Sequence, residues 1–132
     1  VLILGCLALI LGFSFFRKSN TQEQKTNVKA DSKETNILVT FVELGSVKCI
    51  PCKMMQPVMD EIEEEYADQV KVVFYDVWTN DGKPYAEKYA IRIIPTQVFL
   101  DKDGKEFFRH EGFFSKVEIE KVLETQGVKI ND

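Results

Sequence analysis

Cys49-Ile50-Pro51-Cys52 sets two thiols two residues apart, where an apolar run from Ile37 to Leu44 gives way to a helical pattern. A dithiol at the junction of a strand and a helix is first of all a redox centre. The spacing lets the sulfurs close a small disulfide ring. A helix beginning near Cys49 has first-turn N–H groups without intrahelical partners at the positive end of its dipole, and both favour a thiolate. Cys49 is therefore the expected nucleophile and Cys52 the resolving thiol. Pro51 falls just inside the helix, where its missing N–H costs little and its fixed φ suits the first turn. Lys48 and Lys53 flank the pair and add positive potential, weakened by salt screening.

Paired cysteines at this spacing also hold zinc and iron–sulfur clusters. Such sites usually need about four ligands, and the chain adds only Cys6, inside an apolar N-terminal run, and its single His110. No metal is expected, and no cofactor beyond a redox-active Cys49–Cys52 disulfide. A pair of inert, buried cysteines is the other alternative, and reactivity separates the two.

The chain has 132 residues, 45% of them hydrophobic and ten of them Phe, which is enough for one core of ordinary size. That hydrophobicity is unevenly spread. Val1 to Phe16 carries no charge and consists almost wholly of Leu, Ile, Val, Ala, Gly and Phe. As a helix it would reach about 24 Å, against a hydrocarbon core of about 30 Å. Phe13-Ser14-Phe15-Phe16 offers no small-residue cleavage site. Ile3-Leu4-Gly5-Cys6 resembles a lipoprotein signal, but Leu4 fits it poorly and the residues after Cys6 stay apolar. The expectation is an uncleaved anchor over residues 1–16, a polar tether over 17–36 and a folded domain over 37–132.

Residues 1–36 hold five basic residues (Arg17, Lys18, Lys25, Lys29, Lys33) and three acidic ones (Glu23, Asp31, Glu34). Of the 17 basic and 21 acidic residues in the chain, the domain thus keeps 12 and 18, a net charge of −6. An acidic domain argues against nucleic acid as a partner. Anionic headgroups would also repel it, so the segment 1–16 and not the domain surface is expected to hold the membrane. Arg17 and Lys18, just past the apolar segment, would by themselves favour the cytoplasmic side for the domain.

From Ile37 onward the pattern reads βαβαββα. Ile37 to Leu44 is a buried strand. Met55, Val58, Met59, Ile62 and Tyr66 recur at spacings of three and four, with acidic residues largely between them, which predicts an amphipathic helix; Pro57 inside it predicts a kink. Val70 to Val77 is the next strand, and a helix-length link between two buried strands makes them parallel. Pro84 to Tyr89 suggests a short helix. Thr96 to Leu100 and Lys105 to His110 form a hairpin about Asp101-Lys102-Asp103-Gly104. Ser115 followed by Glu118 is a capping box for a last helix, with Ile119, Val122 and Leu123 inward and Gly127 as its stop.

The cysteine pair, the helix carrying Lys53 and Pro57, Ile94-Pro95-Thr96, and Gly112 before the last helix together resemble the thioredoxin family across residues 37–126. CIPCKMMQPVMDEIEEEY and YAIRIIPTQVFLDKDGKE look like its two signature regions. The resemblance implies an α/β fold with a mixed central sheet of about four strands flanked by helices. It also implies a cis Ile94–Pro95 peptide opposite the cysteines, and substrate contacts through Ile50, Pro51, Ile94, Pro95 and the backbone at Thr96. Tyr75, Trp78 and Phe113 are read as core packing.

The chain departs from the family pattern at several points. Lys48 stands where an aromatic usually precedes the first cysteine, Ile50-Pro51 replaces Gly-Pro, and the loop between strand and cysteines is longer. Thr40 falls where the family carries a buried proton-relaying aspartate. Glu43, near the end of the same strand, is a candidate substitute base, although an exposed glutamate is the commoner reading of such a position. No clear strand–helix pair precedes Ile37.

The resemblance implies a thiol–disulfide oxidoreductase that reduces disulfides in partner proteins and is reset by an upstream dithiol donor, membrane-bound or soluble. The same chemistry run backwards, as oxidant or isomerase, is the first alternative. A redox-inert, membrane-tethered module that docks extended peptides is the second. Membrane-tethered members of this kind resemble extracytoplasmic reductants, and that side of the membrane is expected for the domain.

Overall fold

The computed structural model describes residues 36–130. The anchor expected over residues 1–16 and nearly all of the tether lie outside the described residues. Among the described residues, no helix is long and apolar enough to cross a membrane.

Seven elements run in the order the patterning predicts: β1 (Val39–Gly45), α1 (Ile50–Tyr66), β2 (Val70–Asp76), α2 (Lys83–Lys88), β3 (Thr96–Leu100), β4 (Glu106–Glu111) and α3 (Lys116–Glu124). The four strands form one mixed sheet in the order β2-β1-β3-β4. β1 runs parallel to β2 across the α1 crossover and antiparallel to β3, and β3 and β4 close the hairpin.

β1 is interior to the sheet, and all its residues except Thr40 are buried. Its side chains alternate between two layers. Val39 and Phe41 meet Met55, Met59 and Ile62 of α1, together with Ile119 and Leu123 of α3. Val42 and Leu44 meet Val77, Val98 and the α2 residues Tyr85 and Ala86 on the opposite face. Phe41 stacks on Phe99 of β3 at 4.9 Å, and half-buried Tyr75 stacks on Tyr85, so the packing role read for Tyr75 holds.

α1 buries the predicted stripe Met55, Met59, Ile62 and Tyr66, and runs on as one helix past the exposed Pro57. Its last buried residue reaches α3, where the Tyr66 hydroxyl donates to Glu120 Oε1 at 2.8 Å. α3 begins with the predicted capping box: Ser115 Oγ accepts from the Glu118 N–H, and Glu118 Oε2 accepts from the Ser115 N–H at 3.1 Å. This arrangement gathers the C-terminal ends of β1, β2 and β4, the start of β3 and the start of α1 at one end of the sheet. Loops at that end are where open α/β sheets place their chemistry.

Candidate active site

Cys49 is the N-cap of α1, with extended backbone at φ −89° and ψ 125°. Its Sγ accepts a hydrogen bond from the Cys52 N–H at 3.3 Å, so one of the unpaired first-turn donors points at the sulfur. The Cys49 N–H in turn donates to Ser46 O at 3.1 Å, which fixes the approach from β1. Cys49 and Cys52 are joined as a disulfide with their Cα atoms 5.2 Å apart. Cys49 keeps 8% of its surface exposed and Cys52 keeps 4%, so the first thiol is the more reachable of two recessed sulfurs. Exposed Ile50 and Pro51 lie beside it.

Behind the pair the strand comes very close. A Cβ on Gly45 would stand 3.2 Å from Cys52 Cβ and 3.3 Å from its Sγ, so glycine is the residue that fits between β1 and the second cysteine. Two positions back on the same face of β1 lies Glu43, fully buried. The exposed reading of Glu43 is therefore overturned: β1 is interior to the sheet and packed over on both faces, so this carboxyl has no route to water. Thr40 shares the face of Val42 and Leu44, opposite to that of Glu43 and Gly45. Glu43 Oε2 accepts from Gln97 Nε2 at 3.0 Å. Burial pushes the Glu43 carboxyl up to about 8, against a smaller opposing pull from the Gln97 hydrogen bond.

The Ile94–Pro95 bond is cis. Thr96 pairs with Leu44, which puts Pro95 beside the end of β1 that leads to the cysteines. Pro95 and Thr96 are buried and Ile94 is half-buried. The Thr96 hydroxyl donates to Ile93 O at 2.6 Å, and the Thr96 backbone is set between Leu44 of β1 and Glu111 of β4.

A thioredoxin-like domain family model matches residues 21–127 of the chain. Thioredoxin of Acidithiobacillus ferridurans is 37% identical over 103 residues, covering 75% of this chain and 93% of that protein. The chain belongs to the thioredoxin family. Thioredoxin of Bacillus subtilis is 32% identical over 99 residues, covering 75% of this chain and 92% of its own. Among solved structures, a mutant thioredoxin from Halobacterium salinarum superposes with a TM-score of 0.62 at 22% identity, over 74% of this chain and 81% of that one, a likeness of fold. The family match begins at residue 21, inside the stretch read as a tether.

Within this family frame, the arrangement is that of a thiol–disulfide oxidoreductase: a dithiol at a helix start, a buried acid two residues before Gly45 on the strand that backs the pair, and an apolar rim. The rim departs from the sequence expectation. Trp78 is 61% exposed and Phe113 is 44% exposed, so neither packs in the core. Each lies two residues past the C-terminal end of a strand, and the topology sets both at the cysteine end of the sheet with the exposed Val47, Ile50 and Ile93. Strand-end position was the signal that could have found them. Asp76 joins two of these loops, accepting from the Val47 N–H at 3.2 Å and the Trp78 N–H at 3.0 Å. Burial works against its charge, but those backbone donors prevail and hold the carboxyl below its ordinary range. A groove of about 510 Å³ opens beside Ile94, lined by Trp78, Lys83, Arg92 and Ile93. Among the described residues, no three His, Cys, Asp or Glu side chains cluster where a metal ion could be held.

Proposed function

We propose that this thioredoxin-family protein reduces disulfides in partner proteins through Cys49 and Cys52. The observation that carries the reading is the placement of Cys49 Sγ at the N-cap of α1, with the Cys52 N–H aimed at it. In the reduced protein the same donor and the helix dipole favour the Cys49 thiolate. That thiolate attacks one sulfur of a target disulfide; the Cys49–target bond forms, the target S–S bond breaks, and the released sulfur takes a proton from solvent. Cys52 then gives its proton to the Glu43 carboxylate and attacks Cys49 Sγ. The mixed disulfide breaks, the second target sulfur leaves and is protonated, and the Cys49–Cys52 disulfide remains. Two electrons pass to the target. An upstream dithiol returns them to the cysteine pair.

The target segment is read as extended, lying beside Ile94, Pro95 and Thr96 and over Ile50 and Pro51, with apolar side chains against Trp78 and Ile93. The net charge of −6 on residues 37–132 speaks for protein and against nucleic acid as the partner. Residues 1–16 are read as the membrane anchor and residues 17–36 as the tether, with the domain on the extracytoplasmic side. Labelling of Cys49 in intact cells by a membrane-impermeant maleimide is the expected result, and protection from it would put the domain inside.

Insulin reduction tests the chemistry. Cys49→Ser should abolish it, and Cys52→Ala should stall as a mixed disulfide with its target. A Cys49→Ser protein as fast as the wild type would end the reading. Equilibration with glutathione sets direction: a strongly oxidising pair would make the protein an oxidant or isomerase instead, and thiols that fail to cycle would leave a peptide-docking module.

A further inference from the structure

Gln97 is fully buried on β3, directly across from Glu43 on β1. A glutamine amide has two N–H donors, and Gln97 uses Nε2 for both Glu43 Oε2 and Gly112 O, each at 3.0 Å. Gly112 in turn donates its N–H to Pro95 O at 2.8 Å. The chain of contacts thus runs from the buried acid to the cis-proline segment without a break. Among the described residues, Glu43 Oε1 and Gln97 Oε1 make no hydrogen bond, so the shared Nε2 is the one tie between the acid and its surroundings.

We propose that Gln97 is a positioning residue for thiol exchange: its amide orients the Glu43 carboxyl behind Cys52 and ties it to Gly112 beside Pro95. The inference rests on the dithiol reading above. A neutral donor suits the task, because it favours the carboxylate without adding a second charge that would need its own partner in a buried site. Towards the cysteine end, on the face of the sheet that Glu43 shares, the titratable or charged groups of the packed elements include Cys49, the N-cap of α1, Cys52 and Lys53 in its first turn, Asp76 at the end of β2, His110 on β4 and Glu118 at the start of α3. None of them hydrogen-bonds to Glu43 among the described residues. Lys53 is exposed, Asp76 is bound to Val47 and Trp78, Glu118 caps Ser115, and His110 stacks on Phe114 with its Nε2 3.1 Å from Phe113 O. Gln97 is left as the group that opposes the effect of burial on Glu43.

Gln97→Met keeps the length of the side chain and removes the donor. The Glu43 carboxyl, followed by ¹³C NMR through a pH titration of the full chain, should then titrate higher by roughly one pH unit or more. At pH 7 the release step, in which Cys52 resolves a preformed mixed disulfide, should slow about tenfold as the carboxylate fraction falls, with its pH midpoint rising in parallel. The first attack by Cys49 should stay within about twofold, a split that mere loosening of the fold would not produce. Gln97→Asn, a shorter amide, serves as the second variant should the methionine fail to fold, and should shift Glu43 in the same direction. An unchanged or lowered Glu43 midpoint in a folded variant overturns the proposal whether or not the thiols are active. A raised midpoint with an unmoved release profile overturns the role in exchange, while inert thiols in the wild type would instead remove the redox reading beneath it.

Discussion

Replacing Glu43 by Gln should stabilise the protein, and more so the higher the pH. Glu43 is fully buried, with a single neutral hydrogen-bond donor. Its carboxyl is raised from 4.5 to about 8 in the folded state. Between those two values the unfolded chain has released the proton and the native protein still holds it, so stability falls as pH rises across that window. At about 1.36 kcal/mol per pH unit the full loss is roughly 5 kcal/mol, reached by about pH 8. Glu43→Gln is neutral throughout and keeps an oxygen for the Gln97 amide, so it does not incur this loss. Urea unfolding of both proteins in the oxidised state, at pH 4, 6, 7 and 9, measures the effect. The two should be near equal at pH 4, and the variant should lead by several kcal/mol at pH 9. A constant difference across that range would refute the claim that Glu43 is held protonated by burial.

Three further substitutions probe other parts of the site. Gly45→Val places branched atoms where even a Cβ would lie 3.2 Å from Cys52 Cβ and 3.4 Å from the Phe74 ring; it should cost about 1–3 kcal/mol in urea unfolding and slow resolution by Cys52. Ser115→Ala removes the α3 cap and should lower stability by about 1 kcal/mol, with insulin reduction unchanged. Trp78→Ser at an exposed site should leave stability within about 0.5 kcal/mol, yet raise KM for a protein disulfide while sparing the rate with a small aromatic disulfide.

Order and type of all seven elements were legible because each carries a local signal. The α1 stripe, the Ser115–Glu118 box and the Asp101–Gly104 turn are written in a few adjacent residues. The cysteine pair was legible for the same reason. The burial of Glu43 and the exposure of Trp78 and Phe113 were misread because their surroundings are set by distant segments. Whether a strand glutamate meets water depends on the helices that cover the sheet, and α3 lies about seventy residues downstream of it in the chain. A tryptophan among Val77, Thr79 and Asn80 has no neighbour in sequence that says whether it points in or out. Gln97 was invisible for a sharper reason: within TQVFL it is one polar residue in a buried strand, and only the register that faces it with Glu43 gives it meaning.

The atom that caps the first turn of α1 is also the atom that, in the proposed dithiol cycle, changes its bonding partner. Helix end and proposed reaction centre therefore share a single sulfur, so a change in the bonding of Cys49 is a change at the helix cap. Amide exchange at Cys52 should accordingly read out the redox state of the protein from the backbone itself, with no probe attached to either thiol.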